Sequence, residues 1–166
     1  MKYILIVLVI FSFNYCFSQE PTLIETELWI KEKIEMYGDQ NSSLQIFTDY
    51  AIEFKNGNLL ITEKTTNNYK VLNGGKVTID LITYNVPIKE LMKVGFVKYS
   101  NNVFNLRLNI KGQRDLIEVE KGSGVSFKSG ILLHLKFDED KFDLRMSKAF
   151  DQLIKLNGGS VASDTF

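Results

Sequence analysis

Apolar side chains recur along this chain with two different periods, and the changes of period mark its elements. Residues 22–38, TLIETELWIKEKIEMYG, carry the helical period. Ile24, Leu28, Ile30, Ile34 and Tyr37 form a broad apolar face, widened by Trp29, while Glu27, Lys31, Glu32 and Glu35 are left for solvent. Thr22 and Glu25 stand at capping-box spacing, so that hydroxyl and carboxylate can satisfy first-turn amides reciprocally. Gly38 is a natural stop. The period then falls to two: in SLQIFTDYAIEFKNGNLLITEK, residues 43–64, Leu44, Ile46, Tyr50, Ile52 and Phe54 alternate with polar neighbours, which predicts a strand with one buried face. Asn56-Gly57 supplies the positive φ angles of a tight hairpin turn, giving paired strands over 44–54 and 59–64.

After a polar stretch with Gly74 and Gly75, strand-like patterns follow at 76–84, 94–100, 103–111, 114–119 and 130–137. Pro87 makes VPIKELMKV a connector presenting Ile88 and Leu91 inward, and Asn101-Asn102 and Gly112-Gln113 mark turns. The helical period then returns over 137–159, FDEDKFDLRMSKAFDQLIKLNGG. Phe142, Met146, Ala149, Phe150, Leu153 and Leu156 share one face. Asp138, Glu139, Asp140 and Asp143 crowd the end favourable to negative charge, Lys155 lies near the other, and Gly158-Gly159 ends the helix. Each large apolar side chain buried contributes roughly 1.5–3 kcal/mol, so this face predicts a lid packed over the sheet. Its mixed polar face is unlike the lysine-rich one of a membrane-surface helix.

The expectation is therefore α+β: about seven antiparallel strands, an N-terminal helix near 22–38 and a C-terminal capping helix near 140–157. No internal repeat is evident.

The first residues, MKYILIVLVIFSFNYCFSQE, place one lysine before an apolar run and then turn polar, the layout of a secretory signal peptide rather than of a membrane span. Cleavage after Ser18 would leave one domain over 19–159 and a flexible tail over 160–166. Tyr15 is a poor neighbour for lipidation of Cys16, so export to the periplasm or the exterior without a lipid anchor is expected. Without its leader the chain has 148 residues, 19 basic against 20 acidic, and no cysteine. Disulfides, thiol nucleophiles and thiolate metal sites are then excluded, and the charge balance argues against a nucleic-acid partner. No later apolar run is long enough to span a membrane.

The order of one helix, about seven meandering strands and one closing helix, with the VPIKEL connector, resembles a pleckstrin-homology-like barrel over residues 44–158. In that superfold two orthogonal sheets leave one end open and the last helix plugs it. The closing KAFDQLIKLNGG is also similar to that of a group of uncharacterised exported bacterial proteins, and the leader resembles those of Bacteroidota-type bacteria. Neither resemblance implies an activity, since such folds host many functions. The phosphoinositide site of eukaryotic members is not implied, because the first hairpin turn, FKNGN, carries Lys55 alone. A lipocalin would show Gly-x-Trp at its first strand, whereas Trp29 lies in a helix. The C-terminal GGSVASDTF lacks the alternation of an outer-membrane strand.

Recognisable catalytic chemistry is missing. His134 is the only histidine and is expected on the outward side of its strand, with Leu132 and Lys136. The acidic cluster at 138–143 lacks the ligand spacing of a calcium loop and reads as helix-end electrostatics. Gly122-Ser123-Gly124 lies between strands, a turn rather than a nucleophile elbow, and NGGK at 73–76 is not a phosphate-binding loop. No catalytic residue, metal site or cofactor is predicted. The one binding strip suggested is Asn105, Arg107, Asn109, Lys111 and Arg114, polar residues on or beside the strand whose Phe104, Leu106, Leu108 and Ile110 face the core. An anion or a partner would suit it. These features point to a non-enzymatic, exported interaction module binding a peptide or an envelope protein, with strand addition beside the C-terminal helix as the mode. The rival is a hollow, lipocalin-like carrier of a small apolar ligand. Whether Phe142, Met146, Phe150 and Leu153 fill the interior or line a cavity separates the two.

Overall fold

A computed structural model describes residues 20–38, 40–41, 46–67, 77–100 and 102–161. The leader with Cys16, the strand start at Leu44, the glycine pair at 74–75 and most of the expected tail lie outside these residues. Helix α1 (Leu23–Met36) is followed by nine strands: β1 (Gln40–Asn41), β2 (Ile46–Lys55), β3 (Asn58–Asn67), β4 (Thr78–Pro87), β5 (Gly95–Ser100), β6 (Val103–Asn109), β7 (Ile117–Lys121), β8 (Gly124–Lys128) and β9 (Gly130–Lys136). Helix α2 (Phe142–Leu156) closes the series. One sheet has the order β1-β2-β3-β4-β7-β8 and the other β5-β6-β9, and every ladder is antiparallel. The protein is thus α+β, with two open sheets that do not close on each other.

Two strands exceed the seven expected. β1 is only two residues long, too short for any period to register. β8 lies between glycines, so its sequence suggests a turn. It pairs with β7 from Ile117↔Lys128 to Lys121↔Gly124, and Gly122-Ser123 is the turn of that hairpin. The simple meander also fails twice, where β4 pairs with β7 rather than with β5 and where β6 pairs with β9 rather than with β7.

Local chemistry explains the element ends. Thr22 caps α1: its hydroxyl accepts from the Glu25 amide at 3.3 Å, and the Glu25 carboxylate accepts from the Thr22 amide at 2.8 Å. The β2–β3 hairpin turns on Asn56 and Gly57, at φ 53° and 74°, the left-handed values that two-residue turns require. Gly112 and Gln113, at φ 67° and 54°, make the next predicted turn, and Asn102 another at φ 62°.

The buried face of α1 keeps Ile30 and Ile34 of the expected set, with Trp29 and Tyr37 packed beside the core, but not Ile24 or Leu28. Thr26, Ile30 and Ile34 point inward, whereas Ile24 and Leu28 are 75% and 52% exposed. Thr26 tolerates burial because its hydroxyl donates to the Thr22 carbonyl at 2.8 Å. Lys31 and Glu35, expected to be wet, act instead on the sheet. Beyond the pair Gln40↔Phe47, β2 has no strand on its outer side among the described residues. There the Glu35 carboxylate accepts from the Ile52 amide at 2.8 Å and the Lys31 ammonium donates to the Ile52 carbonyl at 2.7 Å. This ion pair substitutes for a neighbouring strand and blunts an edge.

β9 is capped in a comparable way. Its His134 amide donates to the Tyr50 hydroxyl at 2.8 Å, and its Lys136 amide to the Tyr37 carbonyl at 2.8 Å. Gly38 bridges to Leu135, and a Cβ there would lie 2.4 Å from the Thr48 carbonyl oxygen. Only glycine fits between these backbones.

Between the sheets and the helices lies one apolar core, which includes Leu59, Ile61, Val86, Ile88, Leu91, Leu106, Leu108 and Leu133. Aromatic rings join it to both helices. Phe142 lies 4.3 Å from Phe137, 5.0 Å from Tyr37 and 6.2 Å from Phe96, centroid to centroid, and Phe137 stacks on Phe104 at 4.2 Å. Phe142→Ala should therefore destabilise the fold by about 3–5 kcal/mol. Leu144→Ala, at a position of the same helix that is 57% exposed, should change stability by no more than about 0.5 kcal/mol. Urea midpoints of the two variants check the contrast.

Candidate functional site

The five residues of the expected strip separate into two groups. Asn105, Arg107 and Asn109 do alternate on the outward face of β6, where Arg107 stands between Gly95 and Leu132 and Asn109 opposite Gly130. Lys111 and Arg114 leave that face. The Lys111 ammonium donates to the Lys89 carbonyl at 2.9 Å, and the Arg114 guanidinium pairs with Glu90 while its Nε donates to the Lys111 carbonyl at 3.3 Å. Both cations brace the connector before β5 and are not part of a common strip with Arg107.

Arg107 and Asn109 instead meet residues that the sequence pattern does not single out. The chain passes from β8 into β9 through Ser129, crossing from one sheet to the other. At this corner a recess of about 490 Å³ is lined by Tyr84, Arg107, Asn109, Lys128, Ser129 and Leu132, together with Gly130 and Ile131. The signal that could have identified Lys128 is the Val125/Phe127 alternation leading up to it. Tyr84 forms the inner wall; burial first, then the nearby Glu63 carboxylate, raise its phenol well above the ordinary tyrosine range, and its hydroxyl donates to Glu63 at 3.1 Å.

The capping-helix residues lie together as expected. Phe142, Met146, Phe150 and Leu153 are each fully buried, and Ile154 joins them. Leu156, expected on this face, is 43% exposed, because the face turns toward Ile154 as the helix ends. A second recess, about 720 Å³, lies between α1 and α2 over Trp29 and Ala149, with Glu25, Arg145 and Lys148 among its walls.

The helix-dipole reading of the acidic cluster holds for Asp143 alone, which lies in the first turn of α2. Lys141 occupies the position before α2 with φ 53° and no side-chain cap. Glu139 is the active member. Its carboxylate accepts from the Lys33 ammonium at 2.6 Å, from the Tyr37 hydroxyl and from the Arg145 guanidinium, tying α1 to the start of α2. Among the described residues no group of three or more potential ligands could hold a metal ion, and no helix is long and apolar enough to cross a membrane.

The outer face of the six-stranded sheet is mixed, with exposed apolar side chains standing among charged and polar ones. Val125 and Phe127, 57% and 59% exposed, stand opposite Glu120 and Glu118 of β7. Ile79 and Leu81 of β4 are exposed on the same face, opposite Thr66 and Lys64. All five residues of β8 are exposed, and its far edge has no partner strand among the described residues. These features define an α+β domain of two open antiparallel sheets, with side-chain ties on the β2 and β9 edges and no partner strand on the outer edges of β5 and β8 among the described residues. Comparison with protein-family models, with curated proteins and with solved structures returned no match to this chain.

Hydrogen bonds from Lys33, then Tyr37, hold the Glu139 carboxyl down to about 2 from its ordinary 4.5. A depressed carboxyl stabilises the fold above its unfolded value and loses that contribution as pH falls through the folded one. Glu139→Gln should therefore lower the melting temperature at neutral pH. The gap from the unsubstituted protein should narrow below pH 4.5 and close near pH 2, as melting curves taken across that range will show.

Proposed function

We propose that this protein is a non-enzymatic, exported interaction module of pleckstrin-homology-like architecture that binds an extended peptide as an added strand on β8. The bare edge of β8 carries this reading. The β2 edge is occupied at Ile52 by Lys31 and Glu35, and the β9 edge by Tyr50 and Tyr37. β5 and β8 each have a single partner strand among the described residues. Phe96 of β5 is drawn into the packing with α2 through its contact with Phe142, whereas β8 exposes every residue. An added strand gains main-chain hydrogen bonds, and alternate side chains supply the selectivity. Here those side chains would meet Val125 and Phe127, so an alternating apolar peptide is the partner of choice. The site beside α2 is less suited, because the Ser147 hydroxyl already donates to the Val94 carbonyl at 3.3 Å where the helix approaches β5.

The two sheets and the helix across them support the pleckstrin-homology-like reading, and the return of β7 to β4 is a departure from a plain meander. The hollow-carrier alternative loses support from the side chains that would line the cavity. Phe142, Met146, Phe150 and Leu153 have no accessible surface, so no water-sized space adjoins them.

Selection of random peptides on the immobilised protein tests the proposal. Bound peptides should be extended and alternately apolar, and should protect the amides of residues 124–128 from hydrogen exchange. Phe127→Lys and Val125→Lys introduce edge charges that oppose strand pairing. Each should weaken such peptides by about tenfold or more, a loss of roughly 1.4 kcal/mol, while leaving the melting temperature nearly unchanged. Peptides that protect another edge, or bind equally after both substitutions, would refute the assignment.

A further inference from the structure

We infer that the recess at the β8–β9 corner is an oxyanion site, in which Arg107 and Lys128 hold a phosphate or sulfate group with Ser129 and Asn109 beside it. This does not rest on peptide binding at β8. The first argument is charge. The recess is lined by an arginine and a lysine, and by no aspartate or glutamate. Neither cation forms an ion pair with a described residue, whereas Lys31, Lys33, Arg114 and Arg145 all do. Two unpaired like charges around one recess repel each other, and an anion between them converts repulsion into attraction.

The donors are also of the right kinds. A guanidinium offers a planar fork suited to two oxygens of a tetrahedral anion, an ammonium adds a compact charge, and a serine hydroxyl and an asparagine amide can donate further bonds. Arg107 sits in the central strand of its sheet, paired to β5 on one side and β9 on the other, so its backbone is rigidly placed. The opposing wall is close-fitting at Gly130, where a Cβ would come within 2.2 Å of the Asn109 Oδ1 and 3.3 Å of the Leu108 carbonyl. The absence of a side chain there leaves room for the Asn109 amide group where it stands.

Size and apolar character narrow the ligand class. At about 490 Å³ the recess exceeds a bare inorganic ion and falls within the range of small-molecule sites. Leu132, 41% exposed, offers an apolar shelf beside the charges. A phosphate or sulfate monoester with a small organic body fits this combination better than the free ion.

Titration of the full mature chain with inorganic phosphate and with phenyl phosphate, followed by amide NMR shifts, tests the inference. Both probes should move the amides of Ser129, Gly130 and Arg107 in a saturable way, the ester more tightly. Arg107→Gln and Lys128→Gln should each weaken phenyl phosphate about tenfold, with the fold intact because both side chains are exposed. Lys111→Gln, which removes a nearby cation outside the recess, should leave binding unchanged. Equal binding of both probes would keep the oxyanion site and remove the Leu132 contact. No saturable shift at this corner up to tens of millimolar, or an equal loss in all three variants, would overturn the inference.

Discussion

The packing of Phe142 against Phe137 is the contact on which the arrangement of this molecule depends. Phe137 ends β9, and its ring meets Phe96 of β5 and Phe104 of β6, so the whole three-stranded sheet converges on it. Phe142 begins α2 and meets Trp29 and Tyr37 of α1. Helix α1 in turn grips the six-stranded sheet at Ile52. Neither sheet closes on the other by hydrogen bonding, so apolar packing and these side-chain ties must hold them in register. Dense aromatic contacts suit that task because rings bury much surface at little rotamer cost. The Glu139 ion network lies beside the same junction and adds direction to it, since its three partners come from both helices.

Features governed by neighbours along the chain are legible in the amino-acid sequence itself. The capping box at Thr22 and Glu25 involves atoms three residues apart, and the Asn56-Gly57 turn depends on its own two φ angles. The α2 face is legible because large side chains at helical spacing have few ways to hide. What escapes a reading of the sequence depends on partners distant in the chain. The rotation of α1 buries Thr26 and exposes Ile24 and Leu28 because Lys31 and Glu35 are drawn to Ile52, which no hydropathy pattern records. β8 escapes because a strand exposed on both faces satisfies no burial rule; only Val125 and Phe127 alternate, between glycines. The binding strip is half legible for the same reason. Arg107 and Asn109 share a face by strand geometry alone, but Lys128 reaches them only because the chain changes sheets at Ser129.

Stability and exposure are segregated in this fold. Near the helices Phe142 and Phe137 are buried, Glu139 is paired with Lys33 and Arg145, and the β2 and β9 edges are tied by side chains. Toward the β7–β8 hairpin Val125 and Phe127 are exposed on an outer face they share with Glu120 and Glu118. Among the described residues the β8 edge has no partner strand, and Arg107 and Lys128 have no ion pair. A protein selected only for stability would cover such a hairpin or place charge along its edge; a carboxylate beside Lys128 would come from the neighbouring strand β7. β7 already carries Glu118 and Glu120, but both point to the opposite, outer face, across from Phe127 and Val125. Burial accounts for that placement. Strand side chains alternate faces, and on the side that Lys128 occupies Ile117 and Val119 are buried in the core, so that a carboxylate moved there from Glu118 would be buried too. The β7 residues on that side are Ile117, Val119 and Lys121, and Ile117 is the one opposite Lys128. The hairpin therefore keeps its acids away from its cations and its apolar pair away from the core. Only the second of these, Val125 and Phe127 left exposed beside an edge without a partner strand, is costly for a passive hairpin, and it is the feature on which the proposed strand addition rests.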